Sequence, residues 1–311
     1  MIYIDVTGRC GNQLFQYAFA RKLSILNKDN NLVVDFFHTN RVGAELKNNS
    51  FVEELCNFNV LKYNSLIDNG NNVLGNGSKK QIKLYRKYSL IRKISFRLHK
   101  LCLLQRFQYR MQRNGIFKED ECLIKPVIVK SKDIFIRGYF ERPEYFNDIK
   151  QTLIKEFTPI HPRKDKNKKL YEIIDNAESV CVSFRVWNEI SGDLLKQRNV
   201  CTTEYYLKAI EKMHKLYPDA VFIVFSNDIA WAKRNIRIKY PVYYEDGDDE
   251  VWEKLRLMYS CKHFIMSTST FSWWAQYLSR NEHKTVISPN KWYADGKNSH
   301  LLDRDWIKIE V

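Results

Sequence analysis

Residues 1–37, MIYIDVTGRCGNQLFQYAFARKLSILNKDNNLVVDFF, decide the fold class. The opening MIYIDVTG alternates β-branched and aromatic residues and then meets Gly8 and Gly11, as a strand does when it enters a tight turn. Leu14, Tyr17, Ala18, Arg21 and Leu23 follow at near-helical spacing, and NLVVDFF reads as a second strand. A strand, a helix and a strand in so short a span make a βαβ unit, which implies a parallel sheet.

The same alternation resumes late in the chain. SVCVSFRV (179–186), AVFIVFSND (220–228), KHFIMS (262–267) and KTVISPNKW (284–292) read as strands, with helical patterns between them. TPIHPRKDKNKK (158–169), with two prolines and a run of charge, is the clearest linker signal. The expected organisation is an N-terminal Rossmann-like domain over 1–157, a linker over 158–169 and a second Rossmann-like domain over 170–311.

With 311 residues, 44% of them hydrophobic, two domains of ordinary size can each bury a core. The formal charge of +15 points to anionic partners: nucleic acid, acidic lipid or phosphorylated small molecules. From Lys79 to Arg113 there are twelve Lys or Arg and no Asp or Glu, interleaved with apolar residues. Such basic amphipathic helices serve either as solvated outer faces or as contacts for an anionic membrane or acceptor. Seven scattered cysteines without a C-x-x-C pair read as thiols of a reducing compartment. The N-terminus lacks the apolar run of a signal peptide, and no stretch approaches the about eighteen apolar residues of a bilayer span. The expected location is the cytoplasm or the inner face of a membrane.

Ligands of parallel sheets bind beyond the carboxyl ends of the strands, so the residues after each strand are the candidates. Gly8-Arg9-Cys10-Gly11-Asn12-Gln13 is a strand-to-helix turn that suits either close packing or an anion or sugar. Arg185 ends an apolar strand and must be paired, to a carboxylate or to a phosphate. Ser226-Asn227-Asp228 can cap the next helix or offer a carboxylate to a guanine or ribose. Ser267-Thr268-Ser269-Thr270-Phe271-Ser272 puts a row of hydroxyls at a helix start, a good anion site, with Trp273 and Trp274 behind it as scaffold. The acidic residues Asp246, Asp248, Asp249 and Glu250 precede a helix and read as N-terminal charge rather than as a metal site.

Together these segments resemble the bacterial α-1,2-fucosyltransferases. GRCGNQLFQYAFARKLS is similar to their G-G-L-G-N-Q-M-F-Q-Y-A-F-A opening, and the likeness continues in IRGYFERPEYFNDI, VCTTEYYLKAI, FIVFSNDIAWAKRNI, LRLMYSCKHFIMSTSTFSWWAQYL and ISPNKWYADGKN. The resemblance implies a GT-B-like α/β fold, two Rossmann-like domains with parallel sheets facing across a cleft. It implies an inverting transferase that needs no metal or other cofactor, moving L-fucose from GDP-β-L-fucose to the 2-hydroxyl of a galactose-type residue. The donor would lie mainly on the C-terminal domain and the acceptor glycan, lipid-linked in some pathways, on the N-terminal one. Arg185 would bind phosphate; Ser269, Thr270, Phe271 and Ser272 would line the pyrophosphate; Ser226 and Asp228 would face the donor. Gly8, Gly11 and Asn12 would lie under the transferred sugar, with Asn12 beside the chemistry.

Two departures stand out. Where that family carries H-x-R-R-G-D-Y, this chain has Ser183-Phe184-Arg185-Val186-Trp187-Asn188-Glu189, and Arg9 replaces a glycine. Glu189 becomes a candidate general base, with a plain salt bridge as its other reading. A transferase of the same fold using another nucleotide sugar stays open. A non-catalytic binder of membrane or nucleic acid is a third reading, but no nucleic-acid motif supports the latter partner.

Overall fold

Two parallel sheets organise the chain, which divides into two compact units, Met1–Phe157 and Thr158–Val311. The computed structural model describes residues 1–47, 50–66, 73–98, 101–119, 124–188 and 190–311. Unit 1 runs β1 (Ile2–Asp5), α1 (Cys10–Asn27), β2 (Leu32–Asp35), α2 (Phe37–Leu46), β3 (Tyr63–Ser65), α3 (Lys79–Leu98), α4 (Leu101–Arg113), β4 (Ile116–Lys118), β5 (Ile134–Arg137) and α5 (Lys150–Glu156). Its strands lie in the order β3-β2-β1-β5-β4. Every residue of β1 and β2 is buried, as strands covered on both faces must be.

In the segment DIFIRGYFERPEYF (133–146), Phe140, Tyr145 and Phe146 are buried in the core of unit 1. Phe140 stacks on Phe19 of α1 at 4.1 Å, with Tyr145 and Phe117 edge-on to Phe19. On the other face, Leu84 and Tyr88 of α3 and Met111 of α4 pack around Tyr3, Val33, Ile116 and Phe135. The basic helices are therefore a cover of the sheet, held by an apolar stripe.

Unit 2 runs α6 (Lys168–Asn176), β6 (Glu178–Phe184), α7 (Gly192–Arg198), α8 (Thr203–Leu216), β7 (Ala220–Ser226), α9 (Ile229–Asn235), β8 (Val242–Tyr244), α10 (Val251–Ser260), β9 (His263–Ile265), α11 (Thr270–Leu278), β10 (Val286–Pro289) and β11 (Ile307–Ile309). The strand order is β11-β10-β9-β6-β7-β8. Thr202 caps α8 by accepting from the Tyr205 N–H at 3.3 Å.

Residues 158–169, expected as a linker, belong to unit 2 and are strapped to α10 and the turn before it. Arg256 donates to the carbonyls of Pro159 and His161, the Lys164 N–H donates to Glu253 at 3.1 Å, and Asn167 donates to Asp249 at 2.9 Å. The physical reason is that Arg256, Glu253 and Asp249 are all buried, and buried charges demand partners. The strap supplies some of them. Among the described residues no helix is long and apolar enough to cross a membrane.

Candidate functional site

In unit 2 the strand order reverses between β6 and β9, with β7 and β8 on one side and β10 and β11 on the other. Such a reversal opens a crevice beyond the carboxyl ends of a parallel sheet. The sequence-predicted residues gather at this edge: Arg185 directly after β6, Ser226 to Asp228 at the end of β7, and Ser267 to Ser272 after β9. The hydroxyls of Ser183 and Ser267 stand 3.4 Å apart across the reversal.

The loop that carries Arg185 is pinned. Asn227 accepts from the Val186 N–H at 2.8 Å and donates to the Val186 carbonyl at 2.9 Å, tying the end of β7 to the end of β6. The Arg185 guanidinium donates to the Val186 carbonyl at 2.8 Å and lies 4.3 Å above the Trp187 ring. Stacking on an aromatic face orients its planar fork of donors without neutralising the charge.

Ser269 is the N-cap of α11, with Thr270 and Phe271 half-buried in its first turn. The first N–H groups of a helix, with its dipole, attract an anion there. Ser272 departs from its expected role in one respect: its side chain is buried and its hydroxyl accepts from the Ser267 N–H at 3.3 Å. What it can offer a ligand is its backbone. Ser226 likewise accepts from the Asp228 N–H at 3.0 Å, and Asp228 caps α9 by accepting from the Trp231 N–H at 2.8 Å. Trp273 and Trp274 are core, as scaffold residues should be.

The carboxylates of Glu245, Asp246 and Asp249 approach within 4.8 Å of one another, close enough in principle for a cation. Ammonium groups already sit there. Lys166 lies 3.3 Å from Asp246 and 3.1 Å from Asp249, and Lys254 lies 3.2 Å from Glu245. Asp248, then Asp249 and Asp246, hold the Lys166 ammonium above the usual lysine range.

In unit 1 the turn after β1 is built from the inside. Gly8 has φ +84, and a Cβ there would sit 2.5 Å from the side-chain amide of Asn12, so glycine is required by conformation and by space. Gln13 and Gln16, both wholly buried, tie the turn down. Gln16 accepts from the Thr7 N–H and donates to its carbonyl, each at 2.9 Å. Gln13 donates to the carbonyls of Gly8 at 3.1 Å and Val52 at 2.7 Å and accepts from the Glu54 N–H at 2.9 Å. Gly11 is buried in the first turn of α1 beside Cys10, whose thiol burial pushes up.

The model of glycosyl transferase family 11 matches residues 1–310. The chain belongs to this family of glycosyltransferases. It is 27% identical over 330 aligned positions to the O-antigen biosynthesis glycosyltransferase WbnK of Escherichia coli, covering 99% of this chain and 100% of that one. It is 29% identical over 182 to an α-1,2-colitosyltransferase of the same species, covering 56% of this chain and 61% of that protein. Among solved structures, NodZ α-1,6-fucosyltransferase soaked with GDP-fucose superposes with a TM-score of 0.51 at 12% identity, covering 93% and 94% of the two chains. That likeness concerns the fold, the two parallel-sheet Rossmann-like units expected of GT-B architecture.

Within the family frame one of the two departures, Arg9, acquires a physical explanation. Arg9 has an extended backbone, φ −84 and ψ 176, so a side chain replaces glycine there without strain, and its guanidinium lies 4.8 Å over Phe51. Glu189 lies outside the described residues.

Sequence reading missed several residues. The two glutamines look like ordinary polar positions of an amphipathic helix. Asp5, at the end of β1, is 3% exposed and pairs with Arg137 at 3.2 Å, with His38 at 4.0 Å. Burial raises its carboxyl, against the lowering influence of Arg137 and His38. The one available signal was an aspartate ending an apolar strand, the pattern that singled out Arg185 in unit 2.

Proposed function

We propose that this family 11 glycosyltransferase is a metal-independent, inverting enzyme that moves L-fucose from GDP-β-L-fucose to the 2-hydroxyl of a galactose-type residue. The observation that supports the reading is that Arg185 follows β6 and the hydroxyl-rich start of α11 follows β9, the two strands that adjoin at the reversal. A fixed guanidinium and a helix N-terminus are what a departing diphosphate needs. As the acceptor hydroxyl attacks the anomeric carbon, the bond to the β-phosphate oxygen breaks and negative charge grows on GDP. Groups already aimed at that charge lower the barrier without reorganising. On this reading unit 2 holds the donor and unit 1 the acceptor glycan.

The test is GDP release from GDP-fucose with and without lactose, in buffer containing EDTA. Acceptor-stimulated release that falls roughly a hundredfold in Arg185→Ala is expected, the scale of losing one transition-state contact. Undiminished release in the variant would overturn the role of Arg185, and release abolished by EDTA would overturn metal independence. The colitosyltransferase relative favours one second reading, a colitosyl donor. Competition between GDP-fucose and GDP-colitose for release decides between them.

A lipid-linked acceptor fits the outer faces of α3 and α4. Lys79, Lys80, Lys83, Arg86 and Lys87 on the one, and Arg106, Arg110 and Arg113 on the other, are exposed along with Leu90 and Tyr109, while the stripe Gln81, Leu84 and Tyr88 is buried. Basic groups around exposed apolar ones suit an anionic bilayer surface. Co-sedimentation with phosphatidylglycerol vesicles should weaken when these charges are changed to glutamine; unchanged binding would remove the idea.

A further inference from the structure

Unit 1 has its own strand reversal, between β1 and β5, because β2 and β3 continue on one side of β1 while β5 and β4 lie on the other. At that point Asp5 and Arg137 end the two neighbouring strands in register. Asp5 is 3% exposed, and among the described residues neither of its carboxylate oxygens accepts a hydrogen bond, although the Arg137 Nε stands 3.2 Å from one of them. A buried carboxylate without donors is costly unless something supplies them.

The segment after Arg137 is held in an unusual shape. Gly138 has φ +148, and a Cβ there would meet the Glu119 Cβ at 2.3 Å. Phe140 has φ +53, which a phenylalanine adopts only under constraint. The constraint is visible: one Glu119 oxygen accepts from the Tyr139 and Phe140 N–H groups, each at 2.7 Å, and the Phe140 ring is locked on Phe19. Between these fixed points Tyr139 remains 46% exposed. Strained backbone held in place by its surroundings clusters at ligand sites, and here it leaves the Tyr139 ring accessible. The IRGYF stretch otherwise has no part in the function described above.

We propose that the β1–β5 reversal is a hexose subsite, with Asp5 accepting from ring hydroxyls, Arg137 donating to them and Tyr139 packing its face on the sugar. The charges favour this class of ligand. Asp5 repels phosphate and carboxylate and Arg137 opposes a cation, whereas a neutral polyol supplies donors to one and acceptors to the other. A pyranose also presents an apolar C–H face that matches an aromatic ring. The assignment rests on the transferase reading and deepens it by naming where the acceptor sugar is recognised.

The experiment compares wild type with Tyr139→Ala, Tyr139→Phe and Asp5→Asn in the full-length protein, measuring transfer to lactose and, separately, GDP binding by calorimetry. Tyr139→Ala should raise the KM for lactose roughly tenfold, with the KM for GDP-fucose and the affinity for GDP unchanged. Tyr139→Phe should restore the wild-type value, because the ring and not its hydroxyl makes the contact. Asp5→Asn should raise the lactose KM as well. Since Tyr139 is at the surface, its variants test the subsite even where Asp5→Asn fails to fold. Transfer with an unaltered lactose KM in Tyr139→Ala would overturn the subsite. Absence of GDP binding and of transfer in the wild type would instead overturn the transferase reading on which it stands.

Discussion

Replacing Gln13 by leucine removes the clamp of the Gly8 turn. Leucine fills a similar volume, so the change isolates three hydrogen bonds, to the Gly8 and Val52 carbonyls and from the Glu54 N–H. Each of these hydrogen bonds contributes on the order of 1 kcal/mol, and the three together about 3 kcal/mol. For a unit of 157 residues, each 1 kcal/mol moves the thermal midpoint by roughly 2–4 °C, which gives a fall of roughly 6–12 °C. Scanning calorimetry reads this directly. Gln13→Glu sharpens the test. It keeps one acceptor for Glu54 but turns a second carboxylate oxygen on two carbonyls, so its cost should be greater at pH 7 than near pH 4. A midpoint within about 2 °C of wild type for Gln13→Leu would refute the claim that this side chain holds the turn.

Burial pushes the Glu54 carboxyl from 4.5 up to about 7, against the lowering effect of Asn57. Because the folded state binds the proton more tightly than the unfolded chain, this group adds no penalty below pH 4.5, and stability falls as pH rises from there to 7. Glu54→Gln should therefore stabilise the protein by up to about 3 kcal/mol above pH 7 and leave it unchanged near pH 4; parallel urea midpoints for the two proteins across that range would contradict this. At Asp228, alanine should cost about 1 kcal/mol through loss of the α9 cap, whereas asparagine keeps the cap. If the carboxylate also meets the donor, Asp228→Asn will bind GDP more weakly at unchanged stability, and an unaltered GDP affinity would confine Asp228 to capping.

Much of this architecture was legible in the chain because it depends on short-range physics. The apolar runs of β6 and β7, the Thr202 cap of α8 and the Gly8 turn before α1 each follow from local propensity, periodicity or a backbone angle. The row of hydroxyls at α11 and Arg185 after β6 were likewise visible, since strand ends in parallel sheets are where ligand groups collect.

Other features were settled by partners far away in sequence. Ser272 reads as a ligand hydroxyl until the turn brings the Ser267 N–H onto it. Residues 158–169 read as a linker until α10 presents buried Arg256 and Glu253, which the strap then satisfies. Asp5 meets Arg137 only because β5 inserts beside β1, and Gln13 reaches Val52 only once the loop has closed over α1. Composition and spacing determined that this protein is a pair of parallel α/β units whose strand ends in unit 2 carry an arginine and a row of hydroxyls. Which polar side chains became scaffold and which stayed at the sheet edge was decided by the tertiary structure, because a buried hydrogen-bonding group takes the partner that strand order places within reach, whatever its distance along the chain.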